Sequence, residues 1–572
     1  MRFTRRTLIG TTAASVIGLA AAGCTKSGGK AGGQSADEKK ELVNGNADIN
    51  PQERDALADG GTVRLTINSF IPQWNLYHQN GNLKNTEDVM RPIFPFLVNI
   101  DAEGNKSPNP HYLKRMEQVS ESPFVIEAEL NEGMKWSDGT PLDYKSLENT
   151  FRVLSGKNKE YQIGSSDGYD KVSKVEQGGN DRTARVTFSQ PYADWQQLLV
   201  AMPDAMAATP AAFNDDWVEQ PKVTCGPFKI GSIDRANQSV TLVPDENWHG
   251  PKPKLQRLLW TVITDEAATV PAFKAGQLDS LEVSRPVAYT TVKDTVGRTS
   301  VMRRASGSSW THFTLNAEEG RPLADKALRQ AFFRAVPREE VFATANAVMP
   351  YPEGHKPLGN HIIMPGQTGY QDNSGDWAKY DVEAAKKILT DAGYTFDSEG
   401  RAVKDGKPVE ITYVYNEGDS EDESLLPIIQ ESLAKAGITL KIQKVPSNDL
   451  FSKYVIPGRY DVTMFTWVGA PYLSSSDAVW RSDGGYNISR AGTPEVDKLI
   501  DASSQEADQK KRLELANQID KHLWEYASVL PLWQRYTFQV QHPDLANYGA
   551  FGFQTPDWTN VGYVKGSEKA KS

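Results

Sequence analysis

Two cysteines, eight histidines and 73 acidic side chains are the chain's resources for nucleophilic, metal and acid–base chemistry. Their spacing leaves little of that chemistry standing. No His-Glu-x-x-His pair occurs, and His355 and His361 stand six apart in a loop, which is not a metal-ligand spacing. Gly400 to Lys407 superficially follows a phosphate loop, but its glycines are wrongly spaced and Pro408 follows the lysine. Cys225 lies in Thr224-Cys225-Gly226-Pro227-Phe228, where a small residue packed at a turn is a better reading than a nucleophile. Asp419 to Glu423 reads as the solvated start of a helix. None of these motifs supports an enzyme, a cofactor or a metal.

The other cysteine carries a stronger signal. Arg5 and Arg6 precede an uncharged run from Leu8 to Ala22, and Ala21-Ala22-Gly23 leads directly into Cys24. A charged n-region, a short apolar core and small residues make an export signal, residues 1–23, that is removed. The run falls short of the about 20 residues of a membrane-spanning helix. Small residues before a cysteine resemble the lipobox of bacterial lipoproteins, which implies lipid attachment at Cys24. Thr4-Arg5-Arg6-Thr7-Leu8-Ile9 also resembles a twin-arginine signal, and the general export route is the alternative. Residues 25–60 are rich in Gly, Ser, Lys, Asp, Glu and Asn and contain no aromatic residue. Such a segment cannot bury enough apolar surface to offset its ordering entropy. Residues 24–61 are expected to be a flexible tether spanning roughly 30 Å root-mean-square, attached to the outer face of the cell membrane.

The body from Thr62 onward is long enough for two or three domains. Thirteen Trp, 21 Tyr and 20 Phe supply a core with a surplus for a cleft. The net charge of −10 argues against nucleic acid as partner.

Alternation and capping predict the elements. Thr62–Asn68, Phe124–Leu130 and Thr183–Ser189 read as strands, and Cys225–Val243 as a hairpin. Helices are predicted from Pro191-Tyr192 through Leu199, after Asp143 and Asp265, over Leu323–Val336, and over Asp381–Ala392 with Asp381 as cap and Gly393 as stop. Trp310–Asn316, Val409–Tyr415, Ile438–Val445, Tyr460–Trp467 and Ser528–Val540 read as strands, separated by helices that include two within Pro494–His522. The segment 350–380 is an irregular loop. This alternation predicts an α/β lobe with a largely parallel sheet.

Six segments, in order, then resemble one family. They are Glu132 to Leu142 (EGMKWSDGTPL), Cys225-Gly226-Pro227-Phe228, Asn247-Trp248-His249-Gly250, Ala275 to Asp279 (AGQLD), Leu328-Arg329-Gln330-Ala331-Phe332 and Ala392-Gly393-Tyr394. Together they resemble the extracytoplasmic solute-binding proteins of family 5, the peptide, oligopeptide and nickel binders of ABC importers, over about residues 62–560. The pattern Trp467-Val468-Gly469-Ala470-Pro471-Tyr472 looks like an actinobacterial branch. The resemblance implies an α/β bilobal clamshell. Lobe I would be 62–310, with an extra subdomain near 110–220. Lobe II would be 311–528, and 529–572 would return to lobe I, with the hinge near Ser309 and Ser528. It also implies a monomer that holds a small peptide-like solute between the lobes and delivers it to membrane permease subunits. The alternative is an envelope lipoprotein that keeps the fold as a scaffold or sensor.

The candidate ligand residues follow from topology and resemblance. Ligands bind beyond the carboxyl ends of strands in α/β sheets, which selects Trp467, Gly469, Ala470 and Tyr472 in one lobe and Asn68, Ser69 and Phe70 in the other. Trp310 lies near the hinge, and Asn487 in a Gly-rich loop. Peptide binders of the family place an Asp shortly after the tryptophan to meet the peptide's α-amino group. Ala470 stands there in this chain, and Asp477 is the next carboxylate that could substitute.

Overall fold

The computed structural model describes residues 47–446 and 449–571. Cys24 and the tether up to residue 46 lie outside the described residues. Among the described residues no helix is long and apolar enough to cross a membrane.

Three larger sheets carry the molecule. In the first lobe, strand Thr62–Ile67 runs parallel to Arg257–Val262, which continues antiparallel into Ser239–Pro244 and Phe228–Asp234. Val63, Leu65 and Ile67 alternate inward from the first strand, as its period of two requires. A separate antiparallel sheet joins Leu113–Glu121, Phe124–Leu130, Thr183–Phe188 and Val172–Gln177, covered by helix Tyr144–Leu154 with Asp143 capping it through Lys145 N. Both sheets share one hydrophobic core, which also takes in Leu545, Trp558, Val561 and Tyr563 from the end of the chain.

The third sheet has six strands in the order Ser280–Glu282, Val529–Gln541, Val301–Leu315, Val462–Val468, Glu410–Asn416 and Thr439–Val445. It is mixed rather than largely parallel. The last three strands run parallel, but Val301–Leu315 and Val529–Gln541 pair antiparallel with their neighbours. Its two faces hold separate cores, one around Phe313, Phe332 and Trp533, the other around Trp310, Trp467 and Trp480. Asp381, Asp265 and Asp419 each cap the helix that follows. Residues 195–198 form only a short 3-10 turn instead of a helix.

The two long strands are the only elements of this sheet that reach both lobes. Residues 301–306 pair with 536–541 on the first-lobe side, and 310–314 pair with 529–534 on the second. The register breaks between Ser306 and Trp310, where Gln534 Nε2 donates to Gly307 O at 2.7 Å. The first register shift thus lies at Gly307–Ser309 opposite Gln534–Tyr536, and the strand that begins just after Ser528 runs on to Gln541. Composition concealed strand residues 301–309, since arginines, serines and a glycine give no alternation.

The tether is shorter than composition implied. Asp48 exchanges backbone hydrogen bonds with Ala550, Ala58 N donates to Tyr563 O, and Leu57 is fully buried. Asp48 also pairs with Arg303 Nη1 at 3.0 Å and accepts from Arg304 N. Residues 47–61 are therefore docked on the body, through backbone bonding and one apolar anchor that a count of residue types cannot register.

The segments that carried the family resemblance are structural. Gly226 lets two chains meet: a Cβ there would stand 2.4 Å from Pro92 O, while Cys225 N and Phe228 N donate to Ile93 O and Pro92 O. Burial pushes the Cys225 thiol up to about 12, so it is inert. In the Glu132–Leu142 stretch, Trp136 and Met134 are core, and Asp138 accepts from Thr140 N and Oγ1. Asp279, with a fully buried side chain, accepts from Arg64 and Lys569 and ties the first strand to the chain end. Arg329 is buried and donates to Leu323 O, Ala324 O and Tyr526 O, joining three segments of the second lobe.

Two variants test this. Arg329→Met strands three buried carbonyls, each worth roughly 1–3 kcal/mol when unpaired, and should lower the chemical-denaturation stability of the second lobe by at least about 2 kcal/mol. A change under 0.5 kcal/mol would show that the carbonyls find other donors. Gly226→Ala should cost at least as much as a typical overpacked core site, about 1–3 kcal/mol, read as a lower thermal midpoint.

Candidate functional site

The space between the lobes is walled by elements that sequence reading only partly identified. On the first lobe, the turn after strand Thr62–Ile67 is fixed by Asn85, whose Nδ2 donates to Asn68 Oδ1 at 2.7 Å and to Ser69 Oγ at 2.8 Å. Asn68 and Ser69 are exposed there. Phe70 turns the other way, half-buried against the first-lobe core with the Arg235 guanidinium 5.5 Å over its ring.

Asn85 belongs to helix Lys84–Met90, which buries Thr86, Val89 and Met90. The opposite face presents Lys84, Glu87, Asp88 and, one residue past the end, Arg91, at the i, i+3, i+4 and i+7 positions that share a side. Lys84 pairs with Asp88, and Arg91 with Glu87 at 2.6 Å. The Lys84 side chain is 65% exposed, yet burial is the largest single influence on its pKa. Burial pushes that pKa down, and Asp88, Glu87 and Glu282 together outweigh it and raise it. Past the end of the helix, the charge of Arg91 acts on the Tyr472 phenol. No alternation or motif marks this seven-residue helix; the only available signal was the spacing of its four charges.

On the second lobe, the stretch after strand Val462–Val468 divides. Trp467 and Trp310 are each 1% exposed and sit in the core behind the sheet, Trp310 stacked on Trp480 and Trp467 on His312. Both are structural in this conformation rather than ligand platforms, because strand alternation turns them to the helix-covered face. Gly469 spends its backbone on the crossing strand: its N–H donates to Ser308 O and its carbonyl accepts from Ser308 Oγ at 2.6 Å. Ala470 is exposed. Tyr472 is half-buried under the Lys106 ammonium, 4.7 Å from its ring, while Lys106 donates to Pro471 O. Lys106 comes from the first-lobe hairpin Val98–Ile100 and Lys106–Pro108, so this contact crosses the cleft.

Asn487 is buried, and its amide is fully used within its own loop, donating to Arg481 O and Ala491 O and accepting from Ser489. These bonds clamp the loop. Asp477 opens a short helix at the seam and accepts from Ser504 Oγ at 2.8 Å. Burial pushes its carboxyl up to about 7, helped by the charge of Asp194, against Ser504, Arg512 and Arg481.

The acidic run at 419–423 is engaged rather than simply solvated. Glu421 pairs with Arg535 of the crossing strand at 2.8 Å, Glu423 with Lys444 at 3.0 Å, and buried Asp422 accepts from Tyr413 OH. His361 is fully buried against Asp520, at 2.6 Å, and His355 lies among Phe342, Tyr351 and Tyr536, so the two histidines share no site. Gly164-Ser165-Ser166-Asp167-Gly168 has the spacing of a nucleophile elbow but lies in an irregular loop, without the strand-to-helix turn that exposes such a serine.

Known proteins share this architecture. The chain is 34% identical over 555 residues, 96% of its length and 93% of the relative's, to the oligopeptide-binding protein OppA of Mycobacterium tuberculosis. The solved structure of the periplasmic EDTA-binding protein EppA superposes with a TM-score of 0.82 at 22% identity, covering 92% of this chain and 99% of that one. The oligopeptide-binding protein AppA of Bacillus subtilis, in complex with a nonapeptide, superposes with a TM-score of 0.72 at 19% identity, covering 89% of this chain and 100% of that one. The model of the middle region of the bacterial extracellular solute-binding proteins, family 5, matches residues 107–490. With the bilobal fold, the two crossing strands and that match in hand, the chain belongs to family 5 of the bacterial extracellular solute-binding proteins.

Proposed function

We propose that this protein captures an oligopeptide or peptide-like solute between its lobes and delivers it to the permease subunits of an ABC importer. The observation that carries the reading is the 34% identity to an oligopeptide-binding relative over nearly the whole chain; the exposed turn at Asn68 and Ser69, the charged face of the Lys84–Met90 helix and the exposed Ala470 at a second-lobe strand end are the wall assigned to the solute. Hinged lobes around such a wall close on a ligand. The similarity to oligopeptide-binding relatives over nearly the whole chain supports a peptide as that ligand.

A peptide suits the wall's chemistry. Its backbone amides match the exposed polar turn at Asn68 and Ser69 and the strand end at Ala470. Its terminal charges match the alternating Lys84, Asp88 and Glu87. Ala470 supplies no counter-charge for an α-amino group, so the carboxylates of the Lys84–Met90 helix are the groups that take that part. A desolvated ammonium needs such a partner. In this reading the protein is a monomeric binding protein that returns its solute unchanged. It stands outside the cytoplasm, anchored to the membrane by acylated Cys24, with a tether that runs only as far as residue 46 before the docked segment begins.

Isothermal calorimetry of the full chain in detergent against defined peptides of two to nine residues should show saturable binding. Asp88→Asn, which removes a carboxylate assigned to the α-amino group, should weaken it at least tenfold, with the thermal midpoint of the ligand-free protein little changed, since an exposed pair such as Lys84–Asp88 is worth about 0–1 kcal/mol. Absence of binding across the whole length series would refute the peptide reading. Cys24→Ala should move the protein from the membrane fraction to the soluble one; retention on membranes would contradict acylation as the anchor.

A further inference from the structure

One end of the seam is closed by an ion pair that neither the cleft wall nor the crossing strands require. Arg512 lies in the first turn of helix Gln509–Tyr526 in the second lobe, and Asp194 in the first-lobe turn before Trp195–Leu198. The two are 318 positions apart, and each side chain is 5% exposed. The guanidinium and carboxylate meet fork to fork, Nη1 donating to Oδ1 at 2.6 Å and Nη2 to Oδ2. Arg512 Nε donates to Ser503 O, which fixes the fork. Asp194 Oδ2 also accepts from Ser474 N at 2.8 Å and Oγ at 2.7 Å. Ser474 Oγ lies 3.2 Å from Tyr192 OH, Gln197 Nε2 donates to it at 3.1 Å, and Ala193 N donates to Ser504 O at 2.8 Å. Three second-lobe segments thus converge on one first-lobe turn.

We propose that Asp194 and Arg512 form a latch between the lobes that sets the closed–open balance, and so the rate of solute release, without contacting the solute. The proposal rests on the reading that the lobes open and close around a ligand. Opening returns both charges to water, so the attraction gained on closing is offset by desolvation. A bidentate geometry with both Asp194 oxygens engaged tips that balance toward closure. Removing one partner leaves the other buried and uncompensated whenever the lobes meet.

The latch has a neighbour that gives it a pH dependence. Asp477 faces Asp194 and Tyr192 from the first lobe, Arg512 from the long helix, Arg481 from its own loop and the Ser504 hydroxyl. Its carboxyl is raised to about 7 in the closed seam, and an open seam restores an ordinary carboxylate value near 3.8. Closure then takes up a proton. Its contribution is full at pH values below the open-state value and is lost as pH rises through 7, a roughly tenfold change in the closed–open ratio between pH 6 and 8. Asp194 does not titrate in that window: burial pushes it up, but the hydrogen bonds and charge of Arg512, with Ser474, hold it below the usual range.

Small-angle X-ray scattering of the ligand-free full chain in detergent reads the balance. Wild type should be compact at pH 6 and expand toward pH 8. Arg512→Ala and Asp194→Asn should be expanded at both values, the closed fraction falling at least tenfold relative to the open one. The charge-swapped pair Asp194→Arg with Arg512→Asp should recover compactness, which loss of a merely structural contact would not. Asp477→Asn should remove the pH dependence. Circular dichroism identifies any variant that unfolds, and the isosteric Asp194→Asn then decides the question. Scattering of Asp194→Asn equal to wild type at both pH values would overturn the latch. Calorimetry with the nonapeptide of the length series separates the two readings: a latch-dependent shape without peptide binding contradicts the peptide proposal alone, and peptide binding with a release rate unchanged in Asp194→Asn contradicts the latch alone.

Discussion

Everything in this molecule depends on the antiparallel pairing of Val301–Leu315 with Val529–Gln541. A thirteen-residue strand and a fifteen-residue strand are long by the standard of globular sheets. They are long because each serves two lobes. The pairing is interrupted between Ser306 and Trp310, where Gly307 and Ser308 carry no bulk and Gln534 and Gly469 bridge the gap by hydrogen bonds, and its register shifts again between Thr311 and His312. A ladder interrupted in this way joins the two lobes and lets them rotate. Each lobe has a core of its own, and Phe553 from the end of the chain joins the second.

Around that crossing the chain's ends are drawn in. Asp48 clamps Arg303 and Arg304 on the first-lobe half of the crossing strand, and the segment 545–563 packs on the first-lobe core while Phe553 reaches the second. The first described residues thus sit against the strand that crosses between the lobes. Beside Phe553 the seam carries polar contacts: Lys106 on Tyr472, and Asp194 with Arg512 and Ser474. Hydrophobic burial holds each lobe together, while the apolar contact of Phe553 and Ile100 and these directional, charge-assisted contacts, which trade against water at little net gain, hold the lobes to one another. That division of labour is what lets a binding protein be stable and still open.

The fold was legible because its elements carry their own signals. Alternation over Thr62–Ile67, capping aspartates at Asp143, Asp265, Asp381 and Asp419, and glycines such as Gly276 and Gly393 at positive φ are local facts that tertiary structure left intact. The family segments were legible for a different reason. Gly226, Asp279 and Arg329 hold close approaches and buried carbonyls for which few residue types suffice, so they mark the scaffold and not the ligand. The cleft was legible only in part. Asn68, Ser69 and Ala470 lie where strand ends placed them, but Trp310, Trp467 and Asn487 turned inward, because aromatic rings and amides fill cores and clamp loops as readily as they line sites. The Asp194–Arg512 pair was out of reach, since its members stand 318 positions apart, and the Lys84–Arg91 face was marked only by the spacing of its charges.

Native mass spectrometry of the full chain as purified, followed by unfolding and identification of whatever is released, tests the capture of a solute most directly. The account predicts a fraction of molecules carrying a peptide-like mass, released intact and in one-to-one stoichiometry. A uniformly empty protein that takes up no peptide, or a bound mass of another chemical class in its place, would contradict it.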